Sequence, residues 1–366
     1  MSKPLPWSLA ENPRLENWLD FSERGVARVF TAKVELGQGI ITAMAQIAAE
    51  ELRLPLSQIV VVSGDTRRSP NESYTAGSMS IEIGGMSLRI ACAEAREAII
   101  AEAAAMLEAE VARVSLADGA ILLDGKHSSL DCWQVATRVN WRHAIDGSGA
   151  FSNPERSIGK SIARFDLPAK VAGGAFIQDL ELPGMLHARV LRPPSNSARL
   201  QSLDIAAAER LPGVVKVWRS GDFAGVCCER EYQALKALEA LRASATWIED
   251  ESSIDQNWKE SLPKFRSIDS EIEHGTRPSA IGDVIRVSAT YLKPPIAHAA
   301  MGPSCALALF DEGKLTVWTH SQGVFPLRAA LAIALGLEEQ SITVIHVQGA
   351  GCYGHNGADD VALDAA

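Results

Sequence analysis

The sequence lacks the patterns that usually mark a metal site or a hydrolase active site. Its six cysteines include the adjacent pair Cys227-Cys228 but no Cys-x-x-Cys, so zinc ribbons and cysteine-bound iron–sulfur clusters are poorly supported. No His-x-x-x-His pair and no Gly-x-Ser-x-Gly elbow occurs. The common zinc hydrolase and serine hydrolase signatures are therefore missing.

Positive charge and long apolar runs are also scarce. The formal net charge is -10, from 35 basic and 45 acidic residues, which argues against nucleic acid as a partner because phosphate binding needs clustered cations. The best apolar stretch, 329–337, is far shorter than the ~20 residues of a membrane span. The N-terminus shows no apolar export segment and no twin arginine. We therefore expect a cytoplasmic protein without a membrane span.

What the chain does contain is apolar material for real cores, with 47% hydrophobic residues in a length of 366. At ~150 residues for a typical domain, this length suggests two or three domains. Helical and strand-like patterns alternate irregularly, which indicates an α+β fold. The predicted organisation is a first lobe over 1–150, a small α/β domain over 158–247, a linker over 248–284, and the start of a second lobe over 285–366.

The two lobes share a pattern. A predicted strand over 27–36 is followed by Gln38-Gly39, a helix with apolar positions at three-to-four spacing, and a strand over 59–62. Gln322-Gly323, a helical stretch and a strand over 342–347 repeat this order some 283 residues later. A pseudo-repeat predicts two related lobes that hold one ligand between them. The long helix predicted over 83–111 has no such counterpart.

Two short segments could contact a ligand through their backbone. Gly37-Gln38-Gly39 lies where a strand meets a helix, so that free N–H groups at the helix start could meet an anion or a carbonyl-rich ring. The segment 75–80, Thr-Ala-Gly-Ser-Met-Ser, could form a nest of N–H and hydroxyl donors before the next helix. The alternatives are a plain tight turn and an ordinary helix cap.

A third segment, Gly349-Ala-Gly-Cys-Tyr-Gly354, matches Gly-x-Gly-x-x-Gly after an apolar strand. It leaves open a nicotinamide dehydrogenase, provided that a helix follows at once. Of the histidines, His298 and His355 are the ones near a candidate site. The acids Asp359, Asp360 and Asp364 are typical of a helix start and a solvated face.

Taken together, four segments resemble the cofactor-binding segments of the molybdenum hydroxylases, the xanthine dehydrogenase and aldehyde oxidase family. They are Glu35-Leu-Gly-Gln-Gly39, Thr75-Ala-Gly-Ser-Met-Ser80, Thr319-His-Ser-Gln-Gly323 and Gly349-Ala-Gly-Cys-Tyr-Gly-His-Asn-Gly357. Residues 159–218 resemble the small α/β hammerhead domain of that family. The order of the segments is similar to that in the molybdopterin-binding subunits of the isoquinoline 1-oxidoreductase and nicotinate dehydrogenase type.

The resemblance implies a molybdenum–pyranopterin cofactor, expected as the cytosine dinucleotide form, with no protein side chain as metal ligand. It assigns Gln322 to a hydrogen bond with an oxo ligand of the metal, and it places Tyr353-Gly354 where the family has Phe-Gly. The implied cofactor-binding residues are Gly37, Gln38, Gly39, Thr75, Ala76, Gly77, Ser78, Met79, Ser80, Gln322, Gly351, Cys352, Tyr353 and Gly354.

The implied reaction is hydroxylation of an N-heterocyclic aromatic ring, or of an aldehyde, with water as the oxygen source. Its electrons would leave through a separate small [2Fe-2S] subunit, since this chain offers no cysteine spacing for a cluster. The family's glutamate base lies in a Gly-x-Gly-Glu segment that this sequence does not contain. We therefore expect an N-terminal portion of the large subunit whose partners include the C-terminal half. A catalytically silent cofactor-binding or assembly fragment is the alternative.

Overall fold

The structure, a computed structural model of mixed helix and sheet, describes residues 4–153, 157–174, 176–249, 258–272, 274–275, 282, 285, 287–294, 296–357 and 359–366. The chain forms two compact units, one of Met1–Glu181 with His298–Ala366 and one of Leu182–Ala297. Part of the linker predicted over 248–284 lies outside the described residues. No helix among the described residues combines the length and apolarity needed to cross a membrane.

The first unit begins with a β–α–β arrangement. The apolar residues at positions 40, 44, 48 and 52 lie on one face of a helix that packs on the sheet and is buried along that face. The helix starts after Gly39, which has a left-handed φ of 84°. The helices and strands of this part are α1 (Trp7–Glu11), β1 (Leu19–Asp20), β2 (Ala27–Thr31), α2 (Ile40–Leu52), β3 (Ile59–Ser63), α3 (Met86–Met106), β4 (Val114–Ala117), β5 (Ala120–Leu123), β6 (Lys126–Asp131), α4 (Cys132–Ala136) and α5 (Leu167–Ala172).

Strand β2 ends five residues before the predicted position. Beyond Thr31 the backbone turns to side-chain partners: the N–H of Ala32 donates to Glu72 at 2.7 Å, and the N–H of Val34 donates to Thr75 at 2.9 Å. These partners lie about 40 residues away in sequence, so the local pattern does not reveal them. The N–H groups of Ala32 and Val34 therefore bond to the segment around Thr75 instead of continuing the strand.

The second unit contains an antiparallel sheet in the order β7-β10-β9, a two-stranded pair of β8 and β11, and a helix packed on the sheet. Its core is apolar and separate from the cores of the first unit. Its elements are β7 (His187–Val190), β8 (Arg199–Ser202), α6 (Ala206–Glu209), β9 (Val214–Ser220), β10 (Phe223–Cys228), α7 (Glu231–Ser244), β11 (Thr246–Ile248) and α8 (Trp258–Ser261).

The start of the second unit differs from the position near residue 158 that the sequence suggested. Residues 157–181 belong to the first unit, because the N–H of Ser157 donates to the buried Glu50 at 2.7 Å. Further along, the N–H of Ile177 donates to the carbonyl of Gln348, also at 2.7 Å. Next to it, Gln178 donates to the carbonyl of Pro303 at 2.8 Å.

The pseudo-repeat is confirmed by the topology. In both copies an antiparallel strand precedes a parallel pair joined by a helix, in the orders β1-β2-β3 and β12-β13-β14. A short 3₁₀ turn precedes the last strand of each copy. The elements of the second copy are β12 (Ala306–Asp311), β13 (Lys314–Thr319), α9 (Val324–Leu335), β14 (Ile342–His346) and α10 (Val361–Ala365).

The two copies are joined edge to edge within the first unit. Beyond β3, Asp65 forms an antiparallel bridge with Ile345 of β14. The N–H of Thr66 donates to the carbonyl of Val344 at 3.1 Å, and its hydroxyl accepts from the N–H of the same residue at 2.9 Å. The carboxyl ends of the parallel strands therefore lie side by side, which is where ligands bind in open α/β sheets.

Candidate functional site

The four segments that the sequence singled out meet at these carboxyl ends. Thr75, which is buried, holds three of them together: its hydroxyl accepts from the N–H of Val34 at 2.9 Å, and its N–H donates to the carbonyl of Gln322 at 2.8 Å. The side-chain amide of Gln322 returns a hydrogen bond to the carbonyl of Thr75 at 2.9 Å. Residues 247 apart in sequence thus form one reciprocal contact.

Gln322 also reaches the fourth segment. Its Oε1 accepts from the Sγ of buried Cys352 at 3.2 Å, and its backbone N–H donates to the carbonyl of Asn356 at 3.2 Å. One N–H of the amide is used on Thr75, so a single N–H is left for a ligand. The position fits the predicted hydrogen bond to an oxo ligand, which stays a prediction.

The Gly-Gln-Gly turn differs from the expectation of free donors at a helix start. The buried carboxylate of Glu35 accepts from the N–H groups of Gly37 at 2.9 Å, Gly39 at 2.8 Å and Ile41 at 3.3 Å. The chain thus supplies its own anion to these three N–H groups, and the cofactor-binding role of the turn stays a prediction. The amide of Gln38 is likewise used inside the turn, accepting from Leu36 N–H at 2.6 Å and donating to the carbonyl of Val34 at 2.9 Å.

An arginine from the segment before α5 covers this turn. Arg164 donates to the carbonyl of Gly37 at 2.6 Å and lies 3.3 Å from Glu35, while Asp166 holds the other edge of its guanidinium at 2.6 and 3.0 Å. Hydrogen bonds from Arg164 and then Lys170 outweigh burial and hold the pKa of Asp166 well below its usual range. Sequence reasoning missed Arg164, because it assigned this segment to the second unit.

The segment after Thr75 is open to solvent. Ala76, Gly77, Ser78 and Met79 are exposed, and both Gly77 and Ser78 have left-handed backbone with φ of 65° and 60°. A left-handed residue followed by the right-handed Met79 aims successive N–H groups to one side, as in an anion nest. The chain then enters a π-helix over Ser80–Gly85, a feature often found at functional sites.

Two buried charged side chains, Lys33 and Glu72, lie next to this segment, and sequence reasoning missed them. Lys33 and Glu72 are both fully buried; the ammonium donates to the carbonyls of Glu72 at 2.7 Å and Tyr74 at 2.8 Å, and the Glu72 carboxylate accepts from Thr31 at 2.5 Å. Burial lowers the pKa of Lys33 and raises the pKa of Glu72. In the sequence, the feature that could have indicated these buried charges is a lysine between two apolar residues at the end of a strand.

The last segment is a loop with unusual backbone. Gly351, Tyr353 and Gly354 have positive φ of 109°, 53° and 89°. A 3₁₀ turn over His355–Gly357 follows, and the next helix, α10, begins at Val361. The Gly-x-Gly-x-x-Gly motif therefore lacks the helix that a dinucleotide site requires immediately after it. The nicotinamide dehydrogenase interpretation is wrong for this reason.

Asp359 differs from the predicted solvated face, since it is buried beside this loop. It accepts from Nε2 of His320 at 3.0 Å and from the hydroxyl of Ser304, and Nε2 of His355 lies 3.2 Å away. Burial alone would raise the pKa of Asp359, but the bonds from His320, Ser304 and the N–H of Val361 outweigh it and hold this pKa well below its usual range. Asp359 thus fastens the Gln322 segment to residues near the Tyr353 loop.

His346 connects the two copies at the same place. Its Nδ1 lies 3.0 Å from the carbonyl of Ser321 and its Nε2 lies 3.1 Å from the carbonyl of Glu35. Burial lowers the pKa of His346 to about 4 and outweighs these two carbonyl contacts, which favour the protonated ring. Among the described residues, no group of three or more His, Cys, Asp or Glu side chains could hold a metal ion.

Comparison with known proteins agrees with this arrangement. Residues 7–172 match one molybdopterin cofactor-binding domain and residues 265–366 match another. A nicotinate dehydrogenase subunit of Pseudomonas putida is 36% identical over 94% of this chain and 30% of its own length. A membrane-bound aldehyde dehydrogenase [pyrroloquinoline-quinone] of Gluconacetobacter polyoxogenes is 24% identical over all of this chain and 50% of its own.

The beta subunit of isoquinoline 1-oxidoreductase from Brevundimonas diminuta is 23% identical over 95% of this chain and 52% of its own length. The chain thus spans between about a third and a half of these relatives. Both matched domain types are molybdopterin-binding, and together they contain all four segments that the structure brings together. The chain belongs to the molybdenum hydroxylase family.

Proposed function

We propose that this chain is the cofactor-binding part of a molybdenum-dependent oxidoreductase that hydroxylates an N-heterocyclic aromatic compound with oxygen from water. The observation that carries the proposal is the set of hydrogen bonds from Val34 through Thr75 and Gln322 to Cys352. These bonds join four separate segments at one edge of the fold. A ligand that touches all four must be large and must be recognised mainly by backbone and neutral polar groups.

A pyranopterin dinucleotide fits this description. A Cβ added to Gly37 would meet nothing within 4 Å, so a flat ligand could lie beside its Cα while its N–H and carbonyl stay bonded to Glu35 and Arg164. The exposed segment 76–79 suits a phosphate, because the left-handed Gly77 and Ser78 give it the backbone of an anion nest. In addition, Oδ1 of Asn356 is buried beside the Gln322 segment without a hydrogen-bond partner. A hydrogen-bond donor of a bound ligand could satisfy this oxygen.

The residues of this chain would bind and orient the cofactor rather than ligate its metal. When bound, the cofactor supplies the two-electron redox chemistry and the oxygen transfer. Gln322 would offer its remaining amide N–H to an oxygen ligand, and the segments 37–39 and 351–354 would border the pterin. The segment 75–80 would hold the phosphates. The cytosine dinucleotide form is part of the proposal.

The substrate class follows from the relatives, two of which are named for nicotinate and isoquinoline. An aldehyde substrate is the second candidate, since one relative is named an aldehyde dehydrogenase. We further propose that a small [2Fe-2S] subunit carries the electrons away, that the second unit is the hammerhead domain of the family, and that the enzyme works in the cytoplasm.

The test is to purify the chain together with the products of neighbouring genes and to measure molybdenum, acid-released nucleotide and turnover. We expect about one molybdenum and one cytidine nucleotide per chain, and ¹⁸O from labelled water in the product. Nicotinate, isoquinoline and benzaldehyde distinguish the two substrate classes. Cofactor without turnover of any of them would favour the silent cofactor-binding fragment, and no molybdenum at all would contradict the proposal.

A further inference from the structure

Tyr353 combines three features that a structural residue does not need. Its left-handed φ of 53° is costly for a bulky side chain, and strained residues of this kind gather at functional sites. Its side chain is 64% exposed. Its neighbour Cys352 points the opposite way, into the core, and contacts Gln322. Tyr353 therefore lies on the open side of the loop that completes the candidate site.

The strained backbone is held in place by His298. Nδ1 of His298 lies 2.6 Å from the carbonyl oxygen of Tyr353. Because a carbonyl only accepts, Nδ1 must carry the proton. The ring of His298 also packs beside that of His355, with centroids 5.6 Å apart. The backbone at Tyr353 is thus held by a contact 55 residues away in sequence.

The side chain of Tyr353 lies against a glycine. A Cβ added to Gly351 would come within 2.8 Å of Cε2 of Tyr353 and 3.4 Å of its hydroxyl, so the ring needs a residue without a side chain there. The hydroxyl has no hydrogen-bond partner among the residues that the structure describes. An oriented aromatic ring with a free O–H is suited to a flat ligand that carries a hydrogen-bond acceptor.

We propose that Tyr353 selects N-heteroaromatic substrates by donating its hydroxyl hydrogen bond to the ring nitrogen, with His298 as the positioning residue. This inference rests on the proposed function, and it names the group that would separate an N-heterocycle from an aromatic hydrocarbon of the same shape. No bond is made or broken by Tyr353. Its contribution is binding and orientation alone.

Tyr353→Phe removes a single oxygen atom, and the matched control is Tyr232→Phe on α7, where the tyrosine is also exposed. Binding to the purified molybdenum-loaded complex is measured by ligand-observed NMR for isoquinoline and for naphthalene, which has the same shape without the nitrogen. One net hydrogen bond corresponds to about three- to tenfold in affinity. We expect wild type and Y232F to prefer isoquinoline by about this factor and Y353F to lose the preference.

Turnover gives a second readout. Y353F should raise KM for isoquinoline about three- to tenfold, the same single hydrogen bond, whereas the control Y232F should leave this KM unchanged. H298A should raise KM for isoquinoline by the same factor. H298N should raise it less, because it keeps an N–H donor. The double variant of Tyr353 and His298 should be no worse than Y353F. Non-additivity of this kind shows that the two residues act together.

The outcomes separate this inference from the function on which it rests. If wild type turns over isoquinoline and Y353F keeps the full preference for it over naphthalene, the role of Tyr353 is refuted and the function stands. If Y353F weakens the binding of isoquinoline and naphthalene by the same factor, the hydroxyl does not contact the ring nitrogen and the inference is also refuted. If wild type neither binds nor oxidises isoquinoline, the proposed heterocycle chemistry fails and the inference fails with it.

Discussion

Glu35 illustrates how one residue decides what a loop can do. Its carboxylate accepts hydrogen bonds from the N–H groups of Gly37 and Gly39 in the turn and of Ile41 in the first turn of α2. These bonds hold the turn in place without a ligand. The sequence showed the glycines and the glutamine, and from them the position of the turn. It could not show that the glutamate two residues upstream folds back onto the same N–H groups, because that depends on the path of the loop.

The first prediction concerns this carboxylate. Glu35→Gln keeps the shape but places an amide N–H₂ against backbone N–H groups and removes one of the two carboxylate partners of Arg164. We expect a loss of about 2 kcal/mol in the free energy of unfolding, the cost of unsatisfied buried groups, measured by urea denaturation of the chain. Glu110→Gln at an exposed position is the control. A change below about 0.5 kcal/mol in E35Q, roughly that of a neutral surface substitution, would contradict this account.

The second prediction concerns Gln322. Its amide bonds to Thr75 and Cys352 and retains one N–H, which we expect to stabilise charge that develops on an oxygen ligand. Gln322→Ala in the loaded complex should lower turnover per bound molybdenum by about 10²-fold, as the loss of one such donor commonly does. Gln38→Ala should act mainly on molybdenum content. Full turnover per molybdenum in Q322A would show that Gln322 only ties the segments together.

At the scale of elements, periodicity predicted most of what is local. Helix α2 follows Gly39 as predicted, and the strands β3 and β14 agree with the predicted ranges to within one residue. The long helix α3 is shorter at both ends than the predicted 83–111. At its start, Gly84 must approach the buried Lys33–Glu72 pair, and a π-helix makes this approach. Contacts with Glu72 and Lys33, 12 and 51 residues away in sequence, therefore override the local pattern.

The third prediction tests this close approach. A Cβ at position 84 would lie 2.6 Å from Oε1 of Glu72 and 3.0 Å from Cγ of Lys33. Gly84→Ala should therefore destabilise the fold by about 1–3 kcal/mol, as overpacking of a core does. Gly85→Ala is the matched control, because its Cβ would meet only the ends of flexible isoleucine side chains, the nearest being Ile47 at 3.0 Å. Equal thermal stability of the two variants would contradict the packing argument.

At the scale of the molecule, the repeat was visible in the sequence but the joint between its copies was not. Gln-Gly pairs followed by helices predicted two related lobes, and the topology confirms them. The joint depends on Asp65, Thr66 and His346, which sit in a polar loop and at a strand end without any repeated pattern. Only the folded chain brings these residues together.

The fourth prediction uses His346 to measure the strength of this joint. Its pKa falls from an unfolded value near 6.5 to about 4 in the fold, so the unfolded chain takes up a proton first as pH drops. The contribution of His346 to the free energy of unfolding is therefore complete above about pH 6.5. About 3 kcal/mol of it is lost as pH falls to about 4. We expect His346→Gln to flatten the pH dependence of urea unfolding between these values. His127→Gln on the exposed strand β6 is the control, and equal slopes in H346Q and wild type would contradict the prediction.

The contacts of Ile177 and Gln178 with Gln348 and Pro303 carry a consequence for how such a protein can change. The chain leaves the first unit and returns to it at one place, so the second unit is connected to the first by two neighbouring segments. Evolution or an engineer can therefore exchange Leu182–Ala297 as a cassette, whereas the two copies of the repeat on either side of it must be inherited together.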